Sequence, residues 1–169
     1  MSANLRTPTG FEEAFDGLYA TAFRVALRAL GNPTAAEDVA VETLARAFAH
    51  WGKIGDQPWR EGWVVRVASN LAFDAARARS RFSDTPPEET GREDEDVAAR
   101  VSLAQELARL PRRQREVLAL RHLAGHSEAE TAEVLRVSEG SVKTHLHRGL
   151  AAMRSRLGVE MGGMTGDVR

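Results

Sequence analysis

The sequence predicts an all-α protein made of two small helical domains that a flexible acidic linker joins. Three observations support this fold class. Apolar residues recur at spacings of three and four through most of the 169 residues, and strand signals are weak. A charged segment with two prolines, 82–96, divides the chain, and two short helices that meet at a tight turn follow it at 127–150. We expect domains at 1–81 and 101–157, a linker at 82–100 and a disordered tail at 158–169.

Three helices account for the first domain. The first spans Phe11 to Leu30, and Gly31-Asn32-Pro33 breaks it. Thr34 is a candidate cap for the second helix, because Glu37 three residues later would complete a capping box. The second helix runs to about Trp51. A loop with two glycines and a proline follows, and the third helix covers about 59–81.

The charge distribution supports the division into two parts. Residues 82–96 contain seven acidic residues and one arginine, and they offer almost nothing to bury, so we expect a disordered linker there. From about Val97 a second helical block runs to Leu157, with interruptions at Pro111 and at Gly125-His126. Residues 109–157 contain ten basic and five acidic residues. The net charge of −1 therefore conceals an acidic centre and a basic end.

The segment 127–150 has the pattern of a helix-turn-helix. Ser138 is a good N-cap for the second helix, because its hydroxyl can accept a hydrogen bond from an unpaired amide of the first turn. Apolar residues of that helix are spaced four, four and three: Val142, Leu146, Leu150 and Met153. The polar residues that this leaves facing outward are Glu139, Ser141, Lys143, Thr144, His147 and Arg148. Such a helix fits the major groove of DNA, where cations reach phosphates or guanine edges.

A second polar stripe lies on the third helix. Its members are spaced three, four, four, three and four, and they are Trp63, Arg66, Asn70, Asp74, Arg77 and Arg81. An aromatic ring, an amide and several arginines suit an unpaired nucleic acid strand. The pattern alone favours the alternative of a solvated face with a half-buried tryptophan. Trp59 and Trp63 are likewise more typical of a core than of a platform for bases.

Composition excludes several classes of protein. The chain has no cysteine, so it has no disulfide framework, thiol nucleophile or cysteine-based zinc site. No apolar run approaches the roughly 20 residues of a membrane span, and the N-terminus lacks the apolar core of a signal peptide. We therefore expect a cytoplasmic protein without membrane insertion. No catalytic constellation or phosphate-binding loop stands out, so we predict no enzyme, no catalytic residue and no cofactor.

Four histidines near the turn raise the alternative of a metal site. His122 and His126 have the i, i+4 spacing of a zinc-binding helix, but Gly125 interrupts them and no carboxylate base accompanies them. His145 and His147 lie on the next helix. We predict histidines that face solvent or contact phosphate, and no metal.

Taken together, these segments resemble a bacterial RNA polymerase sigma factor of the extracytoplasmic-function (ECF) type, close to the actinobacterial SigE-like group. GNPTAAEDVAVETLARAFAHW resembles the family's region 2.1–2.2, and WVVRVASNLAFDAARARSR its region 2.3–2.4. The stretch from Leu110 to Arg154 resembles region 4. The resemblance covers about 11–157 in the family's two-domain order. It implies a three- or four-helix bundle for region 2 and a helix-turn-helix for region 4.

The resemblance also implies roles for residues. Region 2.2 docks on the β′ clamp helices of core RNA polymerase, and the matching positions are Asp38, Val41, Glu42, Leu44, Ala45 and Phe48. Region 2.3–2.4 melts and reads the −10 element, and the matching positions are Trp59, Trp63, Arg66, Asn70, Asp74, Arg77 and Arg81. Region 4 reads the −35 element, and the matching positions are Arg121, Ser138, Glu139, Ser141, Lys143, Thr144, His147 and Arg148.

The implied partners are core RNA polymerase, through its β′ clamp helices and β flap, and promoter DNA. Whether an anti-sigma factor also binds is left open. The acidic linker resembles the segment that threads towards the polymerase active site, where a negative charge suits a basic channel that RNA later occupies.

Three residues depart from the family pattern. Val41 replaces a usual Gln, which removes a polar contact at the polymerase face. Arg136 replaces a usual Gly in the turn, so we expect a positive φ that costs about 1 kcal/mol. Thr131 replaces a usual Ile and shrinks the small domain's core.

Two other functions remain as alternatives. One is a stand-alone LuxR-type regulator with an N-terminal sensor, which leaves the stripe on the third helix unexplained. The other is a helical adaptor that binds only protein, which leaves the basic recognition helix unexplained.

Overall fold

The computed structural model describes residues 8–82 and 92–158, and within them it contains helices and no strand. The all-α prediction is confirmed. The predicted tail, apart from Gly158, and the centre of the predicted linker lie outside the described residues. The helices are α1 (Phe11–Leu30), α2 (Pro33–Ala49), α3 (Trp51–Ile54), α4 (Arg60–Phe82), α5 (Arg92–Ala108), α6 (Arg112–Leu118), α7 (Glu128–Leu135) and α8 (Glu139–Leu157). A π-helical turn, Ala119–Leu123, continues α6.

The first turn between helices differs from the prediction at its cap. Gly31 ends α1 with a φ of 62°. Asn32, rather than Thr34, caps α2 and accepts a hydrogen bond from the Ala35 amide at 2.9 Å. The physical reason is Pro33, because its fixed φ suits the first helical position and its missing N–H needs no partner there. The cap therefore lies two residues earlier than the sequence pattern suggests.

An aromatic cluster closes one end of the first three long helices. Phe11 packs edge-to-face against Phe48 and Trp51, with ring centroids 5.2 Å and 5.0 Å apart. The Trp51 indole donates to the Thr9 carbonyl at 2.9 Å. Because the ring fills this end and its N–H has a partner, Trp51 begins the short α3 instead of ending α2.

One hydrophobic core extends across both helical blocks. Buried residues of α1, α2 and α4 pack continuously with Ala104 and Ala108 of α5 and with Val117 and Leu120 beyond them. Helix α4 packs against α5, α7 and the π-helical turn. Helix α5 begins at Arg92, five residues before the predicted start at Val97, so the predicted linker 82–100 overlaps this helix. The first and second blocks therefore lie in contact.

The helix-turn-helix begins with a capping box. Ser127 accepts from the Glu130 amide at 3.1 Å, and the Glu130 carboxylate accepts from the Ser127 amide at 2.7 Å. These two bonds lower the pKa of Glu130, because both strengthen with a charged carboxylate. Ser138 caps α8 as predicted and accepts from the Ser141 amide at 3.1 Å. Both helices therefore start at defined residues.

The departure at Thr131 has a visible consequence. Its side chain is fully buried, and its hydroxyl has no hydrogen-bond partner among the described residues. Replacing Thr131 with Val is expected to raise the free energy of unfolding by about 1–2 kcal/mol, because a buried unpaired hydroxyl is removed at nearly constant volume. Urea denaturation measures this change.

The control for that change is Thr144, which is exposed and donates to the Gly140 carbonyl at 2.9 Å. Replacing Thr144 with Val should give no gain. Equal free energies for the Thr131 variant and the parent protein would contradict the assignment of an unpaired hydroxyl. Within the described helices, none is long and apolar enough to cross a membrane.

Candidate nucleic-acid and protein interfaces

The outer face of α8 presents most of the polar residues that the sequence placed there. Lys143, Thr144, His147 and Arg148 are exposed, Glu139 and Ser138 are exposed at the start of the helix, and Ser141 is half-buried. The opposite side of the helix packs inward through Val142 and Met153, which are buried. The helix therefore offers one continuous polar face with three positive or titratable groups.

Local bonds hold several of these polar groups. The Ser138 and Ser141 hydroxyls lie 2.9 Å apart, and Lys143 Nζ lies 3.5 Å from Glu128 Oε2. The Lys143 side chain is 64% exposed, so water screens this ion pair and it contributes little stability. Lys143 is consequently able to exchange Glu128 for a phosphate at small cost.

Arg121 does not lie on this face. It belongs to the π-helical turn, is half-buried, and donates through its guanidinium to the His126 carbonyl. Its predicted contact with DNA is therefore corrected: the side chain supports the loop that leads into α7. The sequence placed it correctly near the helix-turn-helix, but the π-turn directs it into the fold.

The polar stripe of α4 is partly covered. Arg77 and Asp74 are exposed, while Trp63, Arg66 and Asn70 are half-buried. The Trp63 ring lies 5.8 Å from the His50 ring. Trp59 is half-buried and packs against the core, as is typical of tryptophan. Arg81 lies in α4, and its side chain is outside the described part of the structure.

Asn70 is bound by two side chains of α6. Its Nδ2 donates to Glu116 Oε1 at 3.1 Å, and its Oδ1 accepts from Arg115 Nε at 3.1 Å. Arg115 also lies 3.6 Å from Asp74 Oδ1. Both hydrogen-bonding ends of the amide are thus occupied by the second helical block.

Glu116 is a fully buried carboxylate that the sequence analysis missed. Arg112 and Arg113 donate to its two oxygens at 3.0 Å and 3.1 Å, and Arg66 lies 3.9 Å away. Burial lowers the pKa of Arg66, Glu116 opposes that shift, and nearby arginines, Arg112 first, add to it. The signal available in the sequence was an acidic residue directly before the apolar run VLAL, three and four residues after two arginines.

The turn of the helix-turn-helix contacts the start of α4. Arg136 has a φ of 54°, the positive value predicted for this position. Its guanidinium lies over the Trp59 ring, 5.6 Å from the centroid. A left-handed conformation costs a non-glycine residue about 1 kcal/mol, and a cation–π contact returns about 0.5–1 kcal/mol. The contact therefore offsets much of the strain.

A third surface lies on α2. Asp38, Val41, Glu42 and Ala45 are exposed, and the Val41 side chain is a large apolar group at 61% exposure. Phe48 is half-buried against Phe11. Leu44 is only 3% exposed, so its predicted contact with a partner is corrected: it belongs to the core, on the inward side of the helix. The outward set forms an apolar centre between acidic residues.

Comparison with known families matches both halves of the chain. Residues 15–82 match the family described as Sigma-70 region 2, and residues 100–153 match Sigma-70, region 4. The ECF RNA polymerase sigma factor SigL of Mycobacterium tuberculosis is 36% identical over 154 residues, which cover 85% of this chain and 86% of that protein. The RNA polymerase sigma-E factor of Streptomyces coelicolor is 35% identical over 152 residues, which cover 87% of this chain and 85% of that protein.

Solved structures of sigma factors resemble this chain over most of its length. CnrH in complex with the cytosolic domain of CnrY superposes with a TM-score of 0.58 at 27% identity, covering 88% of this chain and 90% of that one. The sigma factor RpoE in complex with the anti-sigma factor NepR from Bartonella quintana gives a TM-score of 0.53 at 21% identity, covering 89% and 98%. The second likeness shows the fold alone.

Proposed function

Because this chain belongs to the ECF family of RNA polymerase sigma factors, we propose that it binds core RNA polymerase and directs transcription initiation at promoters with its own −35 and −10 elements. The observation that carries the proposal is the presence of two separate nucleic-acid faces, on α4 and α8, within the two matched regions. Its contribution is specificity rather than catalysis. A chain that works with bacterial polymerase would act in the cytoplasm.

The −35 element is proposed to lie along α8. Lys143, His147 and Arg148 would meet phosphates or guanine edges, while Thr144 and Ser141 offer adaptable hydroxyls. Glu139 at the start of the helix can accept from a cytosine amino group. Ser138 would act as the cap that fixes where the helix begins.

The −10 element is proposed to lie along α4 as a single strand. Asn70 carries both a donor and an acceptor for a base edge, and Trp63 offers a stacking surface. Arg66, Arg77 and Arg81 would hold phosphates, and Asp74 can accept from a base. Trp59 supports the loop before the helix.

Core polymerase is proposed to dock on the outward side of α2. Asp38 and Glu42 flank the apolar Val41 and Ala45, a pattern that suits a partner with a basic rim. The half-buried Phe48 would extend the apolar contact. The domain division at 82–100 and the β flap contact of region 4 belong to the same proposal, and the known anti-sigma complex of RpoE makes an anti-sigma factor a further proposed partner.

The alternative of a LuxR-type regulator is not favoured. Such a regulator would carry a sensor where residues 15–82 match Sigma-70 region 2. The test is co-purification of the chain with core polymerase. A stable one-to-one complex is expected, and free migration of the two components would overturn the proposal.

Replacing Lys143 with Ala is expected to weaken holoenzyme binding to −35 duplexes of every sequence. If Lys143 neutralises one phosphate, the slope of log K against log salt should fall by roughly 0.9. Fluorescence anisotropy at several salt concentrations measures both quantities. The matched control is Arg109→Ala, because Arg109 is also an exposed cation paired with one glutamate, Glu106 at 2.7 Å. A slope that is the same in both variants would place Lys143 in solvent.

A further inference from the structure

The second helical block lies on the face of α4 that is proposed to read the −10 strand. Three points of contact join them, at the start, the first turn and the middle of the face. Arg136 lies over Trp59, Val134 and His126 lie against Gly62, and Glu116 and Arg115 bind Asn70. The contacts therefore cover the half of α4 nearest its N-terminus. Arg77, further along, is exposed.

Gly62 makes the closest of these contacts. A Cβ atom at this position would lie 2.3 Å from Val134 Cγ2 and 3.1 Å from His126 Nε2. Gly62 is buried, and its place in the first turn of α4 requires no special backbone conformation. The absence of a side chain is thus what lets α7 and the preceding loop approach α4 this closely.

Arg136 holds the same contact from the other side. Among the described residues it is the non-glycine residue with a positive φ. The guanidinium over Trp59 is the interaction that this strained position makes. The turn of the helix-turn-helix is therefore fastened to the residue directly before α4.

Glu116 occupies the polar groups that a nucleic acid strand would use. It accepts from the Asn70 amide, and Arg66 lies 3.9 Å from it. A carboxylate among arginines presents the same charge as a backbone phosphate. A strand that bound Asn70 and Arg66 would have to displace Glu116 and Arg115 first.

We propose that α6 and α7 form an intramolecular cover over the −10-reading face of α4, and that the chain opens at this contact before it takes a single strand. The proposal rests on the function proposed above. The polar face of α8 and the docking surface around Val41 are exposed in the covered chain. Polymerase docking and upstream recognition can therefore precede opening, which places the reading of the −10 strand last.

The test compares Gly62→Ala with Gly17→Ala. Both replace a glycine within a helix, so both gain helix propensity, but a Cβ at Gly17 meets no atom within 4 Å. The chain has no native cysteine, so a pair of spin labels on Ala20→Cys and Ser155→Cys reports the distance between the two blocks. A short distance is expected in the parent chain and in Gly17→Ala, and a longer, broader distribution in Gly62→Ala.

Binding of a labelled single strand gives the second readout. The probe is the non-template −10 strand of a promoter mapped with the holoenzyme, added to the free chain. If the covered form outweighs the open form by about ten to one, Gly62→Ala should bind this strand about tenfold more tightly, since apparent affinity scales with the open fraction. Arg136→Gly is the second variant, because glycine keeps the positive φ without strain and removes the guanidinium from Trp59. It should change both readouts in the same direction.

Distances and strand affinities that match Gly17→Ala in both variants would overturn the cover. A longer distance without tighter strand binding would overturn it as well, because the contact would then not limit access. Run-off transcription by the parent chain separates this result from the underlying function. Transcription with unchanged distances removes only the cover, whereas absence of transcription in all chains removes the proposed function and leaves the distance measurement valid.

Discussion

Replacing Asn70 with Ala is expected to reduce promoter opening by the holoenzyme roughly 30- to 1000-fold, with upstream binding intact. The amide offers a donor and an acceptor in one plane, and in the free chain Glu116 and Arg115 occupy them at 3.1 Å each. Losing two such bonds to an unpaired base costs about 2–4 kcal/mol, which corresponds to that range of rates. Permanganate reactivity of unpaired thymines measures opening, and a nuclease footprint over the −35 region measures upstream binding.

The matched control for this variant is Gln105→Ala. Gln105 is a half-buried amide on α5, away from the proposed face. Its loss should leave opening within about twofold of the parent holoenzyme. Equal loss of the upstream footprint and of opening in Asn70→Ala would contradict the separation of the two reading faces.

Replacing Val41 with Lys is expected to weaken binding of core polymerase by roughly 30- to 1000-fold. Val41 is 61% exposed in the free chain, so the change should not disturb the core. In the complex, a lysine at the centre of an interface with a basic rim would be desolvated beside like charges, at a cost of about 2–4 kcal/mol. Titration of labelled chain with core polymerase measures the loss.

Ala20→Lys serves as the control, because Ala20 is exposed on α1 and lies outside the proposed docking surface. It should bind polymerase as the parent chain does, and both variants should unfold at the parent temperature. Unchanged affinity of Val41→Lys would move the docking surface away from α2.

The bounds of several elements could be predicted because local chemistry sets them. Helix α1 begins at Phe11 and ends at Leu30, as its apolar repeat and the following glycine indicate. Ser138 and Arg136 take the predicted cap and the predicted positive φ because a short polar side chain and a tight turn decide them locally. The family resemblance rests on these same local patterns.

Contacts between distant segments could not be predicted in this way. Glu116 is buried because arginines and an amide from two helices meet there, and no spacing along the chain reveals Asn70 as its partner. Leu44 carries the family's motif position but points inward, because the helical phase of α2 directs it to the core. The missing helix α5 start shows the same limit, since burial of Ala104 and Ala108 against α4 supports a helix that composition alone disfavours.

Run-off transcription with purified core polymerase, with and without this chain, tests the central claim most directly. A promoter library sequenced after one round of initiation identifies the templates that respond. The account predicts transcripts that depend on the chain and start downstream of one shared pair of −35 and −10 elements. Transcripts that are identical with and without the chain, from an active core enzyme, would contradict it.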